Sequence, residues 1–231
     1  MRLWAALATC AAAGLAAPAA ASAAPVSLTS YQSPFTGITI TADGDARHEV
    51  LDRVRLQGRI AFPGPGESVT VTVRREGRLL LRRKVSTDPV SGRYHLWLRL
   101  KGCCAYSAQA EHRENLSYPI AFRVRAPRVL EDGRQALLFN RLLRRAGYHM
   151  GDDEVSDEVG EDTGLAVMAM RKVHDLPRSE DYDPRLFTTL LRGEGRFRPL
   201  HAEDGRHVEV DISRQVMALV EDGVATVLGV E

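Results

Sequence analysis

The chain has 231 residues, 44% of them hydrophobic and 26% charged, with 31 basic and 30 acidic side chains. That composition belongs to globular protein and excludes wholesale disorder, and the length accommodates two small domains plus a leader. Beyond the leader no apolar run reaches the roughly 20 residues needed to span a bilayer, and no interleaved aromatic and basic pattern points to nucleic acid.

Residues 1–23 read as a secretory signal peptide. Arg2 supplies the positive charge, Leu3 to Leu15 an Ala-rich apolar core, and Ala21-Ser22-Ala23 a small-residue cleavage site. An uncleaved anchor fits this short core less well, and Thr9 disfavours lipidation at Cys10. The mature chain is therefore expected outside the cytoplasm with no stable membrane span. It retains Cys103 and Cys104. Adjacent cysteines on a strand point to opposite faces and bridge each other only with a distorted peptide. They are expected as one small core residue and one edge-facing thiol, with a redox-active pair as the alternative. Charge divides the mature chain in two: residues 24–127 carry 16 basic against 9 acidic side chains, net +7, and residues 128–231 carry 14 against 21, net −7. Such a split predicts separate modules.

Residues 24–127 show short strand signals. Val54, Leu56 and Ile60 alternate with Arg55, Gln57 and Arg59, and Pro63-Gly64-Pro65-Gly66 interrupts them. Val69, Val71 and Val73 follow, then Leu79 to Val85 after Glu76-Gly77, then Tyr94, Leu96, Leu98 and Leu100 after Asp88 to Gly92. Cys104, Tyr106, Ala108 and Ala110, and finally Ile120, Phe122 and Val124, keep the period of two. About seven strands in about 100 residues predict an immunoglobulin-like β-sandwich.

After Pro127 the period lengthens to that of a helix. Asp132 and Gln135 have capping-box spacing, Leu138, Leu142, Leu143 and Ala146 share a face, and Gly147 is placed to end the helix in a left-handed conformation. A second helix from about Asp162 presents Thr163, Ala166, Val167, Met170, Val173 and His174; a third is capped by Asp183, carries Pro184 in its first turn and ends at Gly193. Residues 128–198 are thus expected as a small three-helix bundle. Leu142-Leu143 with Gly147-Tyr148, Gly160-Glu161-Asp162-Thr163, Ala166-Val167 and the Asp183 to Leu191 segment resemble, in this order, the peptidoglycan-binding-like three-helix repeat. The likeness covers nearly all of Gln135 to Arg192, but Ser156-Asp157 replace that family's Asp-Gly, Met170 its aromatic residue and Arg171 its Gln. The resemblance implies peptidoglycan as partner and Tyr148, Gly160, Thr163 and Arg171 as ligand-binding residues. No metal site or cofactor is expected: the acidic run around Asp152, Asp153, Glu154 and Asp157 lacks the alternation of a calcium loop, and the histidines lack paired metal spacing.

Residues 199–231 close the chain. Val208, Val210 and Ile212 alternate with polar neighbours, Glu221-Asp222-Gly223 supplies a turn and a second apolar run follows, which predicts a hairpin of two strands in need of further sheet partners. Val210-Asp211-Ile212-Ser213-Arg214-Gln215 leading to Asp222-Gly223 resembles the opening of the L,D-transpeptidase catalytic domain. That family's Ser-His-Gly-Cys-x-Arg motif occurs nowhere in these residues, so no catalytic residue is assigned and the chain as given is expected to be inactive. The two resemblances together imply a multidomain, cell-envelope protein that binds peptidoglycan in the architecture of an L,D-transpeptidase; the alternative is a non-enzymatic wall-binding or adaptor protein. For the basic sandwich, contact with anionic wall polymers and a plain solvated face both remain open.

Overall fold

The computed structural model describes residues 37–44, 47–151 and 154–229. The expected leader, and Asp152 and Asp153 of the acidic run, lie outside them. The described chain is rich in β-sheet with three short helices.

Two sheets form the first half. Strands β1 (Ile38–Ala42), β3 (Arg53–Ile60) and β6 (Arg93–Arg99) make one, in that order, all antiparallel. The other runs β2 (Arg47–Glu49), β9 (Ile120–Arg125), β7 (Cys104–His112), β4 (Ser68–Arg75), β5 (Arg78–Ser86), with β8 (Asn115–Leu116) appended to β7. The period-two pattern works as read: Val54, Leu56, Ile60, Leu96 and Leu98 face inward from the smaller sheet, and Val69, Val71, Val73, Tyr106, Ala108, Phe122 and Val124 from the larger one. Neither face could remain in water, and each covers the other. Within the smaller sheet Tyr94 on β6 crosses over Gly58 on β3 to reach Thr39 on β1. The Tyr94 hydroxyl donates to the Thr39 carbonyl at 2.5 Å, and a Cβ at position 58 would sit 1.9 Å from that carbonyl oxygen.

The helices are α1 (Arg134–Arg145), α2 (Glu161–Val173) and α3 (Pro184–Leu191). The expected capping box at α1 does not form. Gly133 occupies the N-cap, Asp132 accepts from the Val159 amide at 2.8 Å, and Gln135 reaches the Val50 carbonyl, so both side chains tie α1 to neighbouring segments. The C-terminus is as expected. Gly147 has φ +96°, its amide bonds Arg144 O and the Tyr148 amide bonds Leu143 O, the paired closure of a Schellman end. α3 repeats it: Asp183 accepts from the Arg185 amide, Pro184 follows, and Gly193 at φ +79° ends the helix. Phe139 is the buried centre, with Tyr182 and Phe187 at ring distances of 5.4 and 4.9 Å, whereas Leu138 and Leu142 are only partly covered.

The C-terminal segment forms three strands rather than two: β10 (His207–Asp211), β11 (Val216–Glu221) and β12 (Val224–Gly229). A tight turn at Ser213 to Gln215 splits the expected first strand. Asp211 accepts there from the Ser213 hydroxyl and the Arg214 amide, and Gln215 takes φ +54°. The sheet also has the partner that the sequence left unidentified. His149 N donates to Val227 O and Val227 N to Gly147 O, so the chain leaving α1 pairs with the β12 edge. Gly147 therefore serves twice, because a Cβ there would lie 2.5 Å from the Ala225 carbonyl. Val216, Ala218, Val220, Ala225 and Val227 are buried on the side facing α2. The expected apolar face of β10 is turned the other way: Val208, Val210 and Ile212 are exposed, together with Leu219 and Val224.

Candidate functional site

The four residues implied by the resemblance lie in the helical unit. Tyr148 is buried and its hydroxyl donates to the Gly195 carbonyl at 2.7 Å; burial pushes its pKa well up. Thr163, also buried, donates to Asn140 Oδ1. Asn140, which sequence reasoning passed over, gives its amide protons to the Ser156 and Glu158 carbonyls and so fixes the loop before α2. Arg171 bonds the Pro177 and Asp181 carbonyls. Gly160 is the exposed N-cap of α2. The side chains of Tyr148, Thr163 and Arg171 are thus committed to the protein, and none of the four lines the clefts described next.

Those clefts meet at Arg192, where α3 abuts the sandwich. One of roughly 600 Å³ is walled by Arg75, Glu76, Arg78, Cys103, Cys104, Arg192 and Glu194. A second of roughly 720 Å³ is walled by Arg47, Glu76, Cys104, Arg123, Arg125 and Arg192. A third of roughly 420 Å³ runs along α1 with Arg145, Arg192 and Arg196. Edge strand β2 and its neighbour β9 contribute arginines from their outward positions, the β4–β5 turn is flanked by Arg75 and Arg78, and α3 presents Arg192 as its C-cap. Glu76 is engaged by the Ala105 amide at 2.7 Å, and Glu49 stands 3.8 Å from Arg125. Guanidinium groups therefore outnumber carboxylates around the opening.

Between the first two clefts lies a Cys103–Cys104 disulfide. This corrects the expectation of two separate thiols. The strand argument assumed extended backbone, whereas Cys104 has φ +114°, which stops the two side chains diverging. Gly102 leaves room for Arg75: a Cβ there would lie 2.0 Å from its guanidinium, and the Gly102 carbonyl accepts from the Tyr106 hydroxyl. Arg192 Nε contacts Cys104 Sγ at 3.5 Å. The result is an arginine-rich recess with a rigid sulfur-containing wall, suited to planar, bidentate recognition of carboxylate or phosphate. Sequence reasoning missed it because its arginines come from four separate segments; the net charge of the sandwich was the only signal.

Among the described residues no group of three or more metal-ligating side chains converges, and no helix is long and apolar enough to cross a membrane.

No protein-family model matches the chain, and no curated protein does. Among solved structures it is similar to an L,D-transpeptidase from Xylanimonas cellulosilytica, with 27% identity over 44% of this chain and 48% of that one, at a TM-score of 0.37. The chain thus spans about half of that structure. A superoxide reductase (neelaredoxin) from Ignicoccus hospitalis matches at 14% identity, 38% and 79% coverage and a TM-score of 0.30. A sulfur carrier protein from Chlorobium limicola matches at 14% identity, 40% and 80% coverage and a TM-score of 0.25.

Proposed function

We propose that this is an exported cell-envelope protein of L,D-transpeptidase architecture that attaches to peptidoglycan, with the arginine-lined recess at Arg192 receiving the carboxylates of the stem peptides. The observation that carries the reading is the convergence of Arg47, Arg75, Arg78, Arg123, Arg125 and Arg192 on clefts whose walls include the carboxylates Glu76 and Glu194, with Glu49 beside Arg125. Stem peptides are short, extended and carboxylate-bearing, which is the chemistry such a recess takes.

The architecture supports the same reading. The strand order of the two sheets, with β1, β3 and β6 opposite β9, β7, β4 and β5, fits an immunoglobulin-like sandwich. The Schellman ends at Gly147 and Gly193 fit the peptidoglycan-binding-like helices. In this reading Tyr148, Thr163 and Arg171 shape the helical unit from inside and Gly160 marks its surface. Cross-linking chemistry is not assigned: acyl transfer through cysteine needs a thiolate, and Cys103 and Cys104 are bonded to each other.

Co-sedimentation with purified sacculi tests the proposal. The chain should pellet with them, and Arg192→Glu should reduce its affinity about tenfold, the loss expected when one charge-assisted contact is removed. Equal sedimentation of the two proteins, with the fold intact by circular dichroism, would refute it. The second reading, an adaptor docked through its C-terminal sheet, is favoured by the apolar outer face of β10 and β11. It predicts wild-type sedimentation for Arg192→Glu and loss for Val208→Lys.

A further inference from the structure

The outer face of the β1–β3–β6 sheet carries a charge pattern that neither the fold nor the recess at Arg192 requires. Register sets Arg59 directly opposite Arg93, Gln57 opposite His95, Arg55 opposite Trp97 and Arg53 opposite Arg99. All point away from the core, because Val54, Leu56, Leu96 and Leu98 between them are buried. Two like-charged pairs directly across a strand pair are destabilising. Among the described residues no carboxylate lies within ion-pair distance of any of these five arginines. The nearest acidic side chain with a bond to this face, Asp43, is held by Gln57 Nε2 at 3.0 Å.

At the centre stands Trp97, half exposed, with the Arg53 guanidinium 5.1 Å and the Arg55 guanidinium 6.0 Å from its ring centroid. The guanidiniums hold the indole in place and keep it at the surface, since burying it would drag two charges from water. Arg55 Nε has no hydrogen-bond partner and is itself covered. From Arg53 to Arg59 the row extends about 20 Å at the usual strand rise, too long for one small anion and matched to a chain with repeated charges.

We infer that this face is a docking platform for an extended anionic glycan or polyol polymer, its phosphates or carboxylates lying along the arginine rows and one sugar or polyol unit resting on Trp97. The preference for a carbohydrate-type chain rests on the envelope location proposed above. It also has a basis in the face itself, because single-stranded nucleic acid is held by successive aromatic platforms and this row offers one indole.

Trp97 fluorescence gives the readout, with Trp97→Phe as the blank that removes the contribution of Trp4. Poly(glycerol phosphate) and polygalacturonate represent the two anionic chemistries, neutral dextran the uncharged chain, and a single-stranded oligonucleotide of equal charge the rival polymer. Either polyanion should perturb the indole and bind more weakly as salt rises. Replacing Arg53→Gln and Arg99→Gln together should weaken binding at least tenfold and lower the salt slope by about 1.5. Phosphate and carboxylate sources are distinguished by which polymer binds tighter. The proposal is overturned if neither polyanion perturbs Trp97, if the double variant binds as the wild type does, or if dextran or the oligonucleotide binds tighter. Sacculi stripped of anionic polymers should bind the double variant as they bind the wild type; that control separates this face from the recess at Arg192.

Discussion

The sandwich and the C-terminal sheet use the same period-two code with different results. In the sandwich each sheet covers the other, so alternation alone shows which residues of β3, β4, β6, β7 and β9 are inside; β5 departs from it, with Leu79 and Leu80 exposed. β10 to β12 have a cover on one side only, α2, and alternation cannot say which side that is. There β11 and β12 bury Val216, Ala218, Val220, Ala225 and Val227, while β10 turns His207, Glu209 and Asp211 toward the covered side and leaves Val208, Val210 and Ile212 in water. A polar network compensates for that choice. Glu209 accepts from the amides of Leu200 and His201 and bonds His207 at 3.2 Å, and Arg214 bridges Asp211 to Asp175 at the end of α2 with bonds of 3.0 to 3.2 Å. Sheet-on-sheet packing is legible in sequence, whereas a sheet against one helix is specified by its long-range partners.

The contrast makes the two halves separable in experiment, with Trp97 reporting the sandwich and far-ultraviolet circular dichroism at 222 nm reporting mainly the helices. Phe139→Ala should produce the largest effect, about 3–5 kcal/mol lost from the helical unit, with the Trp97 thermal transition little changed. Gly147→Val should cost about 2 kcal/mol or more, since it puts a β-branched residue at φ +96° and drives Cβ against the Ala225 carbonyl. It should also detach β12, seen as faster exchange of the His149 and Val227 amides. Gly58→Ala is the mirror experiment: about 2 kcal/mol from overpacking against Thr39 O and the Tyr94 hydroxyl, lowering the Trp97 transition and sparing the helical signal.

The smallest effect is in pH. Glu209 beside His207 raises the imidazole pKa above its usual 6.5. That contribution is fully present below 6.5 and is lost as pH rises through the raised value. The Arg214 bond lowers Asp175, and the Ser213 hydroxyl and Arg214 amide lower Asp211, below their usual 3.8. Their contribution is present above 3.8 and lost as pH falls through the lowered values. The midpoint of the C-terminal unit should therefore decline on both sides of the intervening range. His207→Gln should remove the alkaline decline and leave the acidic one, as a calorimetric pH series would show.

Much of the fold was legible. The sandwich core residues, the left-handed ends at Gly147 and Gly193 and the Asp183 cap follow from local chemistry that the sequence prints directly. The turn at Ser213 to Gln215 was not, because Asp211 creates it with a side chain that reads equally well as a strand residue. Nor was the role of Asn140, whose three bonds join segments far apart in sequence. The cysteine pair is not legible either, because the strand rule presumes extended backbone and Cys104, the first residue of β7, has φ +114°. The recess at Arg192 was invisible for a related reason: its arginines converge only after β2, β9, the β4–β5 turn and α3 have come together.

Stem-peptide binding in the recess at Arg192, as proposed above, can be read directly from its arginine side chains. Nuclear magnetic resonance of the Nε–Hε groups during titration with a soluble tetrapeptide-bearing muropeptide should show saturable shifts at Arg192 and Arg75. Signals from Arg53 and Arg99 on the distant sheet face should stay in place. A muropeptide that binds while Arg192 and Arg75 remain unmoved, or that fails to bind at millimolar concentration, would rule out the recess as the stem-peptide site.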